Sequence, residues 1–211
     1  MTTLQLQLFG PPRLTRAGTQ IHMERRRTLA FTIYLAMSGQ EERRERLLTL
    51  FWPERDPSQA RADLRRTLYQ VHHLLGEGWL TTAGEGIALP PHPDLWIDVA
   101  QFRQRLAACR HHGHAADGVC PVCLPLLDEA VTLYRNDFLA GFSLPDTPAF
   151  DDWQFFQGEA LRSELAGALG LPGLDVGPGG ERPAEIQVLD RHLARRPLVL
   201  ADQDGGGRQP P

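Results

Sequence analysis

One segment constrains the fold of this 211-residue chain more than any other, the sequence DPSQARADLRRTLYQVHHLLG at residues 56–76. Asp56 can accept hydrogen bonds from the free N–H groups of a first helical turn, and Pro57 suits the first helical position. Gly76 suits the residue that ends a helix. Apolar residues recur at steps of three and four on one face, namely Leu64, Leu68, Val71 and Leu75. The pattern predicts a long, capped, amphipathic helix.

The opposite face of the predicted helix carries polar groups of several kinds. Because successive helical residues are about 100° apart, Arg66 and His73 lie nearly opposite the apolar face. Tyr69 and Gln70 lie beside them, and Arg65 lies at the edge. A helix with these groups can lie in a DNA major groove. The alternative is an ordinary surface helix whose charged face is only solvated.

Composition and charge narrow the class of protein. The hydrophobic content of 42% is enough for a core, and no run approaches the roughly 18 apolar residues of a membrane span. The N-terminus lacks the basic start and apolar run of a signal peptide, so we expect a cytoplasmic protein. Residues 1–75 carry a net charge of +5 and residues 76–211 one of −9. That asymmetry favours a nucleic-acid-binding part joined to a protein-contacting part.

The first 90 residues contain a predicted order of sheet, three helices and hairpin. Leu4, Leu6 and Leu8 alternate with polar residues, which predicts a half-buried strand. The other predicted elements are strands at 13–16 and 20–23, helices at 25–37 and 43–51, and hairpin strands at 79–82 and 87–89. This order is that of a winged helix, in which the third helix contacts DNA and the hairpin is the wing.

Three arginines, Arg25, Arg26 and Arg27, stand at the start of the first predicted helix. Cations there oppose the helix dipole, so we expect an anion from elsewhere to neutralise them. A DNA phosphate is one candidate, and the neighbouring Glu24 is the other.

The second part of the chain predicts further helices. Asp98 is expected to cap a helix, with Gln101 at the third position. Helices at 124–134 and 151–169 follow, joined by an apolar corner at 138–142. Five residues of the last helix are expected to be buried: Trp153, Phe156, Ala160, Leu161 and Leu165.

Several short motifs resemble one family of bacterial regulators. They are LQLFGPPRL at 6–14, RRRTLAFTIYLAM at 25–37, LFWPERD at 50–56, ARADLRRTLYQVHHLLG at 60–76, LWIDVAQF at 95–102, LYRNDFLAGFSLPDTPAFDDW at 133–153 and QGEALR at 157–162. Over about residues 4–165, the chain resembles transcriptional activators of the Streptomyces antibiotic regulatory protein type, with a bacterial transcriptional activation domain.

The resemblance implies a mainly α fold with small β sheets, in two domains. A response-regulator-type winged helix at 1–92 would bind double-stranded DNA repeats, and a partial helical, tetratricopeptide-like activation domain would occupy 93–169. RNA polymerase and a second copy of the chain are further candidate partners. Relatives continue with more helical repeats, whereas residues 170–211 hold 14 glycines and prolines and no aromatic residue. That composition predicts a disordered tail and a shortened family member.

Cysteine and histidine are concentrated between residues 109 and 123. Zinc prefers four tetrahedral ligands, and two chelating pairs on a short loop can supply them. The candidate ligands are Cys109, His112, Cys120 and Cys123, with His114 able to replace His112. A structural zinc ion is the only cofactor we expect. The alternative is a His-rich loop with reduced thiols.

The sequence predicts a division of roles in the DNA contact. Arginine matches guanine and glutamine matches adenine, so Arg65, Arg66 and Gln70 are the predicted base contacts. Arg61, Tyr69 and Arg43 are predicted to contact phosphates, and Arg25 and His73 complete the candidate interface.

No phosphate-binding loop, nucleophile elbow or dinucleotide motif occurs, so we do not expect an enzyme. The rival to a DNA-binding regulator is a protein-interaction module or an inactive fragment of a longer regulator.

Overall fold

A computed structural model of the chain describes residues 3–112 and 121–168. It is mainly helical with two small sheets. The elements in chain order are β1 Leu4–Gln7, β2 Arg13–Arg16, β3 Thr19–Gln20, α1 Arg26–Ser38, β4 Glu42–Arg43, α2 Arg44–Phe51, α3 Pro57–Leu75, β5 Thr81–Ala83, β6 Gly86–Ala88, β7 Leu95–Ile97, α4 Asp98–Arg110, α5 Cys123–Leu133 and α6 Pro148–Ala168. The predicted strands, helices and hairpin of the first 90 residues are present, with ends shifted by a few residues.

The N-terminal sheet has the strand order β3-β2-β1-β7. β1 pairs antiparallel with β2 and parallel with β7, and the alternating Leu4, Leu6 and Leu8 are buried as predicted. β7 was not predicted, because three residues are too few for a period-two pattern. Since β7 follows residue 92, the sheet crosses the predicted domain boundary.

α1 lies at the centre of the core and is buried on most sides. Phe31 and Leu35 are fully buried, whereas Leu29 and Met37 are only half-buried. The difference arises because the helix has neighbours on several sides. Phe31 packs against Phe51 of α2 at 5.3 Å between ring centroids, and α3 also contacts α1.

Asp98 does not cap α4 in the way the sequence suggested. Ile97 occupies the N-cap position without a side-chain hydrogen bond, and Asp98 is the first helical residue. Its fully buried carboxylate instead accepts from the backbone N–H groups of Leu8, Phe9 and Val99 at 2.8–3.0 Å. Asp98 therefore ties the start of α4 to the segment that follows β1.

The inward face of α6 also differs from the prediction. Leu161 and Leu165 are buried and Trp153 is half-buried, but Phe156 is 67% exposed and Ala160 is exposed. α6 begins at Pro148, one turn earlier than predicted, and Phe150 is fully buried in the core. α6 carries more apolar residues than one face of a helix can bury. Which of them are buried therefore depends on where the neighbouring elements lie.

Candidate nucleic-acid interface

The local sequence of α3 produces the predicted helix and its caps. Asp56 Oδ1 accepts from the backbone N–H groups of Ser58 at 3.0 Å and Gln59 at 3.2 Å. The hydroxyl of Ser58 also donates to Asp56, and these hydrogen bonds lower the pKa of the carboxyl. Gly76 follows the helix with a φ of 85°, a conformation that favours glycine. The start and end of α3 are therefore fixed by neighbouring residues in the chain.

The two faces of α3 separate as the periodicity predicted. The face toward the core buries Leu64, Val71 and Leu75, and Leu68 is half-buried. The outer face exposes the predicted contact residues Arg61, Arg65, Arg66, Tyr69 and His73. Tyr69 is 71% exposed, and its ring lies parallel to that of His73 with 6.1 Å between centroids. Cationic, aromatic and imidazole groups thus share one accessible surface.

Gln70 has a more constrained position than the other predicted contacts. It is half-buried, and its Oε1 accepts from the hydroxyl of Thr28 in α1 at 2.8 Å. A two-point contact with adenine needs both the amide oxygen and the amide N–H group. The hydrogen bond from Thr28 therefore holds the amide oxygen of Gln70 toward α1 and restricts how the side chain can meet a base.

Arg25 lies beside the exposed face of α3, and Arg43 lies beside the hairpin. Arg25 immediately precedes α1 and lines a cavity of about 180 Å³ together with His22, Tyr69, Gln70 and other residues. Arg43 is exposed on β4, where it lies opposite Gly86 of the hairpin.

The hairpin is joined to the helical part of the fold by β4 and α2. β4 pairs with β6, and β6 pairs with β5. The backbone N–H of Arg44 donates to the carbonyl of Glu85 at 2.9 Å, and its Nε donates to the carbonyl of Gly84 at 3.2 Å. The tip sequence Ala-Gly-Glu-Gly contains no cation, and Glu85 is exposed there. The hairpin is held in place, but its tip is poorly suited to a phosphate.

Arg26 and Arg27 have partners that the sequence did not suggest. The guanidinium carbon of Arg26 lies 5.1 Å from the centre of the Phe142 ring, and Arg27 donates to the carbonyl of Pro145 at 3.3 Å. Both partners belong to the loop between α5 and α6. These contacts turn the two side chains toward the second part of the chain. Neutralisation of the arginine run by a DNA phosphate or by Glu24 stays a prediction.

Two charged residues beside the exposed face were missed by the sequence analysis. Asp63 Oδ1 lies 3.8 Å from a terminal nitrogen of Arg66, and its Oδ2 lies 3.7 Å from Nε of Arg55. The spacing of three residues between Asp63 and Arg66 could have suggested the first contact. The contact with Arg55 depends on how the turn before α3 folds.

The candidate zinc ligands are only partly included in the described residues. Cys109 and Cys123 are buried and adjacent, with the sulfur of each 3.7–3.9 Å from the backbone carbonyl oxygen of the other. His112 is exposed, and His114 and Cys120 lie outside the described residues. Within residues 3–112 and 121–168, no group of three or more side chains is arranged to hold a metal ion. The zinc site remains a prediction.

The sequence matches no protein-family model and no curated protein. The fold is similar to that of EmbR. The structure of Mycobacterium tuberculosis EmbR in complex with a low-affinity phosphopeptide superposes with a TM-score of 0.66 and 22% sequence identity. The match covers 80% of this chain and 45% of EmbR, so the chain spans less than half the length of that protein. At this identity the likeness establishes the fold alone.

None of the described helices is long and apolar enough to cross a membrane.

Proposed function

We propose that the chain is a sequence-specific DNA-binding transcriptional regulator of the activator type, with α3 in the major groove of double-stranded DNA. The observation that carries this proposal is the outer face of α3. It exposes three arginines, a tyrosine and a histidine, while its other face packs in the core. The similarity to EmbR, a regulator of the family that the sequence resembles, supports it.

The side chains of the interface divide by chemistry. Arg65 and Arg66 are the proposed contacts with the major-groove edge of guanine, and Gln70 would use its amide N–H groups. We assign phosphate contacts to Arg61 and Tyr69 on the helix and to Arg43 beside the tip of the hairpin, while Arg25 and His73 flank them. The hairpin contributes less, because its tip carries a carboxylate.

The test begins with duplexes that the full chain selects from a random-sequence library. Affinity for a selected duplex and for a shuffled one is then measured by fluorescence anisotropy at two salt concentrations. Arg66→Ala should weaken selected binding by about 1–3 kcal/mol and relax the preference at one base pair. Arg110→Ala, which removes an exposed arginine from α4, serves as the control and should leave the preference unchanged. Absence of any selected sequence would refute the proposal.

A protein-interaction module is a second candidate, and one observation favours it. Phe155 and Phe156 are 56% and 67% exposed side by side on α6. Large apolar side chains exposed together often mark a contact surface. RNA polymerase and a second copy of the chain are the partners we propose for the part of the chain beyond residue 92, and such a contact is compatible with DNA binding.

A further inference from the structure

Asp63 lies between Arg66 of the candidate interface and Arg55 of the turn before α3. It belongs to the first half of α3, and its side chain is 24% exposed, whereas the side chains of Arg55 and Arg66 are 54% and 59% exposed. Each oxygen of the carboxylate faces a different guanidinium, at 3.7 Å and 3.8 Å. The carboxylate of Asp63 is therefore shared by two guanidinium groups, which are more exposed than it is. The group lies beside the proposed DNA-contacting face of α3.

We propose that Asp63 is a positioning residue for Arg66, a predicted base contact, and for the neighbouring Arg55. This inference rests on the proposed DNA-binding function. A guanidinium already held near its bound position loses less conformational freedom when it contacts a base. The carboxylate itself repels phosphates, so it cannot strengthen binding to DNA in general. We therefore expect Asp63 to change the ratio between the affinity for the preferred DNA sequence and the affinity for other sequences.

The experiment compares Asp63→Asn with the unaltered full chain on one selected and one shuffled duplex. The ratio of the two affinities should fall about twofold to fivefold, the range that a surface ion pair supports. Affinity for the shuffled duplex should stay the same or rise, because a negative charge is removed. Glu77→Gln, which removes an exposed carboxylate beyond the far end of α3, should not lower the ratio.

A second measurement separates positioning from a general structural role. In an Arg66→Ala background, Asp63→Asn should have a smaller effect on the ratio, because one of the positioned arginines is gone. Equal weakening on both duplexes, accompanied by a lower unfolding temperature, would overturn the inference. An unchanged ratio in Asp63→Asn, while Arg66→Ala relaxes the preference, would overturn the inference and leave the proposed function standing. If the unaltered chain prefers no sequence, the proposed function is wrong and the inference falls with it.

Discussion

Replacement of Asp98 by alanine tests the strongest polar contact between the two parts of the chain. The carboxylate accepts from three backbone N–H groups, and two of them, at Leu8 and Phe9, lie about 90 residues away in sequence. Asp98 is fully buried, so water cannot readily replace the lost acceptor. An unsatisfied buried donor costs about 1–3 kcal/mol, which gives roughly 3–9 kcal/mol for three.

The expected loss lies toward the lower end of this range, because alanine also removes the cost of burying a charge. For a protein of this size it corresponds to a decrease of about 6–20 °C in unfolding temperature. Urea unfolding gives the free energy, and hydrogen exchange at Leu8 and Phe9 shows whether their amides lose protection. Asp98→Asn keeps one oxygen acceptor and should lose less. A change below about 1 kcal/mol in Asp98→Ala would refute the reasoning.

The same residue predicts a pH dependence. Burial raises the pKa of Asp98, and the hydrogen bonds from Phe9, Leu8 and Val99 only partly oppose it. An acid whose pKa is higher in the folded state stabilises the fold most below its unfolded pKa, and this contribution is lost as the pH rises through the folded pKa. The stability difference between the unaltered chain and Asp98→Asn should therefore be larger near about pH 4 than near neutrality. A difference that grows toward neutral pH would contradict this.

Three further predictions concern the hairpin, the cysteine cluster and α6. Glu85→Ala should leave DNA affinity unchanged or raise it, since it removes a negative charge, and a large loss in an anisotropy titration would contradict that. If the four predicted ligands bind zinc, elemental analysis of folded, untagged chain should give about one zinc per chain, and binding should weaken in acid as the ligands take up protons. A value well below one zinc per chain would mean that the cluster is only a His-rich loop. Serine at both Phe155 and Phe156 should change the unfolding free energy little in urea, whereas Leu161→Ala should cost about 2–5 kcal/mol because Leu161 is fully buried. A comparable loss in the serine variant would show that the two aromatic residues are packed.

The sequence was most informative where the determinants are local. The cap at Asp56, the proline that follows it and the glycine after α3 each act within a few residues, so the bounds of this helix could be predicted closely. Apolar spacing likewise predicted that Leu64, Val71 and Leu75 face the core. The exposed positions of Arg61, Arg65 and Arg66 followed from the same periodicity.

The tertiary structure decided which polar groups are available for binding. The sequence pattern does not distinguish three residues, Arg26, Arg27 and Gln70, from the other candidate contacts. Their partners, however, are Phe142, Pro145 and Thr28, each of which lies at least 42 residues away in the sequence. Contacts across such distances depend on how helices and loops pack, and no spacing rule within one element reports them.

The same limit explains the roles of Asp98 and Phe156. A short polar residue before an apolar run predicts a helix cap, but the N–H groups that Asp98 satisfies belong to the segment after β1. An aromatic residue on a helix predicts burial, but Phe156 is exposed because no described element covers that side of α6. The chain's local pattern determined its helices and the polar face of α3. Packing between distant segments determined which of those side chains remain accessible, because burial and hydrogen bonding depend on neighbours that only the folded chain brings together.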